Sequence, residues 1–454
     1  MHAFLILGIG MVTILGGIIV LRLNAFLALI GAALLVSLVV PGEAAVKVTR
    51  VAEAFGRTAG SIGIVIALAA IIGKAMMDSG AADRVVRAFL SALGEKRAAT
   101  ALAASGFVLG IPVFFDTVFY LLVPLARSMY RSTGRHYLRY IVAVCAGAVA
   151  AHTLVPPTPG PLVVASTLGV DLGTMILVGG IVALPGAAAG VLFAGWIDRR
   201  MPIPLRTELS GVPAPATERP EALPGLVPSL LPIVLPVLLI SANTVVSSLA
   251  AADRAVVPWI ATAAAVLGNA NLALLLAAAV ALVVYARQRR PTAEQMRLAV
   301  ESALMSGGVI ILITAAGGAF GAMLQEARIG PEIQALFGSG ANGMMHLFLA
   351  FGVASLMKIA QGSSTVAMIT TSAMLAGMMS GAATLPFHVV YVATAIGAGS
   401  LVGSWMNDSG FWVVSRMGGL TEVEALKSWT AVLVVVGVTS MLATLALAVM
   451  LPLK

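Results

Sequence analysis

The chain has 454 residues, 60% of them hydrophobic and only 10% charged, with a formal net charge of +8 and a mean hydropathy of +1.03. So few polar side chains cannot cover a soluble globule, which excludes a cytosolic enzyme or a nucleic-acid-binding domain and defines an all-α polytopic protein of the lipid bilayer. The basic excess sits in short loops between apolar segments, the positive-inside bias of membrane proteins, and the single cysteine, Cys145, gives no disulfide framework.

Phe4–Leu21 and Ala25–Val40 are the first two expected spans, each near the ~20 residues that cross a bilayer. The first has no basic flank and is read as a retained span rather than a signal peptide. Ser61–Met77 lies between two charged loops, Gly42–Arg57 and Asp78–Lys96. Ala98–Gly110 and Val113–Leu125 are each too short to cross, so they predict a re-entrant hairpin over 98–125 with Ile111 and Pro112 at its tip. Tyr140–Ala151 runs into HTLVPPTPGP, His152 to Pro161, whose prolines forbid a continuous helix. Leu162–Leu168 completes that crossing, a broken helix over 140–168, and Met175–Ile197 is a further span.

The polar, proline-bearing stretch 198–225 reads as a cytoplasmic linker between two halves, 1–197 and 226–454. Leu226–Leu249, Leu272–Ala286 and Leu304–Met323 are spans, Val256–Leu267 need not cross, and Arg287–Arg297 reads as a basic loop. Met344–Met357 and Ser364–Met379 predict a second hairpin over 344–379, with Lys358–Ser363 at its tip. Phe387–Val402 meets a second break, GSWMNDSGFW from Gly403 to Trp412, giving a broken helix over 387–415; Ala431–Leu451 is the last span.

The halves repeat. GKAMMDSGAADRVVRAF at Gly73 aligns with GAMLQEARIGPEIQALF at Gly321, an offset of 248 that also lays Gly110-Ile111-Pro112 over Lys358-Ile359-Ala360. An offset of 252 lays His152 over Ser404 and Pro156 over Asp408. Arginines flank the first hairpin, so it enters from the cytoplasm, and counting crossings brings the second in from outside. Inverted repeats whose broken segments meet near the midplane are the architecture of a secondary transporter.

Three intramembrane charges and a histidine carry the chemistry. An intramembrane carboxylate is costly and usually marks an ion pathway, so Asp116 reads as a substrate contact or proton carrier, the plainer reading being a cap or a salt bridge to Lys358. Lys358 needs a counter-charge, which either an anionic substrate or a standing pair with Asp116 or Asp408 supplies. Asp408, within Asn407-Asp408-Ser409-Gly410, reads as a functional carboxylate, as one oxygen of a cation site, or as a helix cap. His152 is a proton relay or a packed hydrogen-bonding group. Gly110, Ile111 and Pro112 at the first tip, Thr158 at the break, Gln361, Ser363, Ser364 and Thr365 at the second tip, and Asn407 and Ser409 form the expected substrate-binding set, with Asp116, His152 and Asp408 expected to couple protons. No Walker, HExxH, CxxC or nucleophile-elbow motif is present, so no cofactor or resident metal is expected.

With GIPVFFD at Gly110, HTLVPPTPGP at His152, AAGGAFGAMLQEARIG at Ala315, KIAQGSSTVA at Lys358 and NDSGFW at Asn407, nearly the whole chain resembles the gluconate permease (gluconate:proton symporter) family. The resemblance implies an importer of gluconate or a related hydroxy-acid in the bacterial inner membrane, driven by protons. It also implies a scaffold domain and an elevator-like transport domain that holds both hairpins, often in a homodimer. The chain departs from the family at Asp116, where Glu is usual, at Lys358, where Arg is usual, and at Thr153 and Thr158, which stand where the family has Gly and His. A point-charge lysine is not equivalent to a forked arginine at a carboxylate, so the substrate is less fixed than the reaction type. The reading is proton symport of a small organic anion. A sodium-coupled carrier of the same fold is the alternative, and an intramembrane hydrolase using Asp116, His152 and Asp408, or a passive channel, stands further off.

Overall fold

The computed structural model describes residues 3–41, 43–94, 97–206, 223–251, 257–327, 343–379, 385–406 and 408–453. The first half contains α1 (Ala3–Leu15), α2 (Ala25–Val39), α3 (Ala44–Asp78), α4 (Ala81–Leu93), α5 (Ala98–Gly110), α6 (Phe115–Thr133), α7 (Tyr137–Leu154), α8 (Pro159–Leu168) and α9 (Leu172–Arg200). The second contains α10 (Leu226–Ala251), α11 (Pro258–Leu267), α12 (Ala270–Arg289), α13 (Ala293–Glu326), α14 (Met344–Gln361), α15 (Ser364–Met379), α16 (Val390–Gly399) and α17 (Ser409–Gly418). The last helix, α18 (Glu422–Met450), carries a π-helical turn at Leu426–Thr430. Seven stretches among the described residues are long and apolar enough to cross a membrane, the broken pair Tyr137–Leu168 among them.

The repeat is visible in the helix ends. The offset of 248 carries the ends of α3 to within one residue of those of α13, and an offset of 250 lays α9 over α18 end to end. The copies are inverted. Gly318 of α13 faces Thr58 of α3, and Gly307 packs against Ile66 and Ala70, so the two helices run antiparallel. Gly186 of α9 meets Val436 and Ser440 of α18, while Gly190 meets Val432, again antiparallel. Because α3 leads toward the first hairpin and α13 toward the second, the hairpins leave opposite ends of the bundle.

Small residues let these helices approach closely, the usual device where lipid removes the hydrophobic drive between helices. A Cβ on Gly147 of α7 would stand 1.9 Å from the Ala103 carbonyl oxygen of α5, and one on Gly106 would stand 2.9 Å from that of Val144. The first hairpin is thereby fixed against the broken helix α7.

Several helices are longer than their apolar cores. The expected loop Gly42–Arg57 is the first part of α3, a helix of 35 residues. Its charges are used locally: Lys47 Nζ donates to the Leu38 carbonyl at 2.7 Å, and Arg50 donates to Ser37, so both satisfy the end of α2. The expected loop Asp78–Lys96 contains α4, whose Ala81, Ala82, Val85 and Val86 are buried. The basic stretch Arg287–Arg297 is split between the end of α12 and the start of α13, where Thr292 and Gln295 form a capping box. In the first hairpin α6 continues past Leu125 to Thr133, and Arg127 on it is buried and donates to the Met417 carbonyl. Of the expected linker 198–225, α9 takes the residues up to Arg200, Arg206 pairs with Glu424 at 2.8 Å, and 207–222 lie outside the described residues.

Candidate functional site

A cavity of about 370 Å³ lies where both hairpin tips and both breaks meet. Its wall is made largely from helix beginnings. Phe115, Asp116 and Thr117 open α6, Ser364 and Thr365 open α15, and Ser409 and Gly410 open α17. The first backbone N–H groups of a helix have no intrahelical acceptor and carry its positive dipole end, so such ends favour an anion, and that of α17 already holds one in the Asp408 carboxylate. His152 from the end of α7 and Lys358 from the end of α14 add to the polar lining, with Thr153, Ser306, Ser363 and Asp408.

Lys358 and Asp408 are both buried, with 1% and 7% of their surface exposed. Lys358 Nζ lies 2.7 Å from Asp408 Oδ2 and also donates to the Gly362 carbonyl, while Asp408 Oδ1 accepts from the Gly410 N–H at 2.9 Å as the cap of α17. Ser404 Oγ donates to the same carboxylate and accepts from Trp429 Nε1 at 2.8 Å. The Trp429 ring packs on Phe115 with centroids 4.9 Å apart, so the network reaches the residue beside Asp116. The π turn in α18 is where Trp429 and Thr430 leave regular helix, and Thr430 bonds the Ser404 carbonyl at 2.6 Å.

Asp116 differs from Asp408. It lines the cavity and meets no hydrogen-bond or ion-pair partner among the described residues. His152 Nδ1 is buried and likewise meets no hydrogen-bonding atom there; its ring stands edge-on to Phe114 at 6.2 Å. Ser363 caps α15 by accepting from the Val366 N–H at 3.3 Å, and Ser364 donates to the Ser400 carbonyl at 2.8 Å, which leaves each hydroxyl further bonding capacity toward the cavity.

The structure thus brings Asp116, His152, Lys358, Ser363, Ser364, Thr365, Asp408 and Ser409 together. Gly110, Ile111, Pro112 and Thr158 do not line the cavity. Gly110 is turned to α7, where a Cβ would stand 2.8 Å from the Ala148 carbonyl oxygen, and Pro112 borders a neighbouring space beside Gly73. Thr158 spends its hydroxyl on the Val155 carbonyl at 2.7 Å and is buried. Asn407 lies outside the described residues, and at Gln361 only the backbone is described. Thr117, Ser306 and Trp429 are cavity residues that sequence reasoning missed. Ser306 is a small hydroxyl residue beside two glycines and gives no signal, whereas Thr117, next to Asp116, follows from adjacency.

Fold and cavity together define a polytopic helical membrane transporter. Residues 2–450 match the model of the GntP family permeases. The chain belongs to that family, as a multi-pass protein of the bacterial inner membrane. It is 34% identical to the gluconate permease of Pseudomonas aeruginosa over 99% of this chain and 98% of that one. It is 32% identical to the inner membrane permease YgbN of Escherichia coli K12 over 96% of each. Its fold is also that of MtrF of Neisseria gonorrhoeae, with a TM-score of 0.63 over 93% of each chain at 16% identity.

Proposed function

We propose that this permease imports gluconate or a closely related hydroxy-carboxylate by proton symport. The observation that carries the reading is the pairing of an anion-favouring wall, helix beginnings and Lys358, with a carboxylate, Asp116, that meets no hydrogen-bond or ion-pair partner among the described residues. The substrate carboxylate sits against the helix beginnings and Lys358, and its hydroxyls meet Ser363, Ser364, Thr365 and Ser409. Gln361 and Asn407 belong to the same set by position. Asp116 takes the coupling proton, with His152 within the same wall as relay. Asp408 serves here by holding Lys358 between transport events, and the incoming anion competes for that ammonium.

Relatives that are permeases support a carrier rather than a hydrolase. Proton coupling is favoured over sodium at Asp408 because the Lys358 ammonium already stands where a cation would bind that carboxylate. The two hairpins with their broken helices move as a body against the α3–α13 pair, in a homodimer. Purified protein in liposomes, given labelled gluconate with and without an inward proton gradient, tests the reading. Gradient-driven accumulation is the expected result; uptake that merely equilibrates, or that requires sodium, overturns the coupling, and no uptake of gluconate or any sugar acid overturns the substrate class.

A further inference from the structure

Two more spaces continue the central cavity in one direction. A small cavity of about 90 Å³ shares Phe114, Thr117 and Ser306 with it. That small cavity shares Lys74, Met77 and Ser302 with a larger one of about 720 Å³. The larger cavity is bordered by Asp78 and Arg289, at the ends of α3 and α12. The end of α12 carries Arg287 and Arg289, so by the positive-inside bias the mouth faces the cytoplasm.

The middle space is bounded by small residues, Ala69, Ala70, Gly73 and Ala303, facing Pro112 and Val113 of the first tip. A Cβ on Gly73 would meet the Pro112 carbonyl oxygen and Val113 Cγ2, each at 3.6 Å, which leaves room for a methyl group and little more. Beyond this neck Lys74 Nζ holds both oxygens of Asp78, at 2.7 and 2.8 Å, in a partly exposed pair. Arg289 Nε–H donates to the Asp78 carbonyl at 2.8 Å. Toward the other face, a cavity of about 150 Å³ between Thr58, Ser166 and Gln325 shares no lining residue with the central one.

The geometry points to a solute passage between α3, α13 and the first hairpin tip, joining the central cavity to the cytoplasm, with Gly73 at its neck and Lys74 as a cationic way-station. It deepens the transport reading and rests on it for the identity of the solute. A partly exposed lysine–carboxylate pair is weakly held, so a passing carboxylate can take the place of Asp78 on Lys74 and be released beyond it. Ser302 and Ser306, one helical turn apart on α13 and both exposed, line successive spaces of this passage, and Ser306 donates to the Ser302 carbonyl at 3.2 Å.

The test uses the full chain, whose only cysteine, Cys145, is buried and serves as an unreactive background. Ser302→Cys and Ser306→Cys are treated in sealed vesicles of known orientation with a charged, membrane-impermeant methanethiosulfonate. Both are expected to label from the cytoplasmic face. Gly73→Leu should slow labelling of Ser306→Cys by an order of magnitude and leave Ser302→Cys unchanged. Unchanged labelling of Ser306→Cys behind Gly73→Leu, or faster labelling of it from the outer face, overturns the passage. If Gly73→Leu fails to fold, Ala303→Leu narrows the same neck and is read the same way. Gluconate uptake by the unsubstituted chain is measured in parallel: its absence counts against the transport reading, while the labelling pattern of the variants judges the passage by itself.

Discussion

Lys358 and Asp408, fifty positions apart in the chain, meet at 2.7 Å with almost no exposure, and each also holds its own local backbone, Lys358 the Gly362 carbonyl and Asp408 the Gly410 N–H. The pair therefore ties the second hairpin tip to the second break. Breaking one member of a buried pair leaves an uncompensated charge and costs about 3–5 kcal/mol. Lys358→Gln and Asp408→Asn should each lower the thermal midpoint in detergent sharply, while the double variant recovers most of the loss without recovering uptake. A double variant no more stable than either single one would show that the two do not act as a unit.

Asp116 makes no such tie among the described residues. Asp116→Asn should leave stability within about 0.5 kcal/mol, the range of substitutions that break no packed or bonded feature. Proton-driven accumulation should disappear, yet exchange of internal for external substrate should survive, since exchange needs no net proton movement. Asp116→Glu keeps the charge and should retain accumulation. Loss of binding itself in Asp116→Asn would assign this carboxylate to substrate recognition instead.

Two adjacent glycines of α9 should behave in opposite ways. A Cβ on Gly179 would stand 2.0 Å from the Leu154 carbonyl oxygen, at the break, whereas one on Gly180 meets nothing within 4 Å. Gly179→Ala forces the helices apart and should cost about 1–3 kcal/mol. Gly180→Ala should be neutral or gain up to about 1 kcal/mol from helix propensity. Thermal unfolding of the two variants side by side checks this, and equal effects would contradict the packing at Leu154.

The hairpins and breaks were legible because prolines and charges inside apolar sequence leave few alternatives. Helix lengths were not. Lys47, Arg50 and Arg127 look like loop residues, yet each reaches a carbonyl at a neighbouring helix end and so lies comfortably within or beside a helix. Within the site, charged residues announced themselves by their cost in lipid. Thr158 misled because a hydroxyl beside prolines satisfies the backbone there as readily as it meets a substrate. Gly110 misled because a small residue at a tip serves the approach of α7. Trp429 gave no signal, since the π turn that brings it to Ser404 is a local slip of register that its sequence, LKSWT, does not announce.

The helix beginnings of α6, α15 and α17 have a consequence for how the carrier responds to its surroundings. Peptide dipoles hold no exchangeable charge, so their attraction for a carboxylate persists from acid to alkaline conditions. In the proposed mechanism these ends hold the ionised anion, while Asp116 and His152 set direction and driving force. Under that proposal grip and drive rest on different chemical groups, so a variant is expected to lose one while keeping the other.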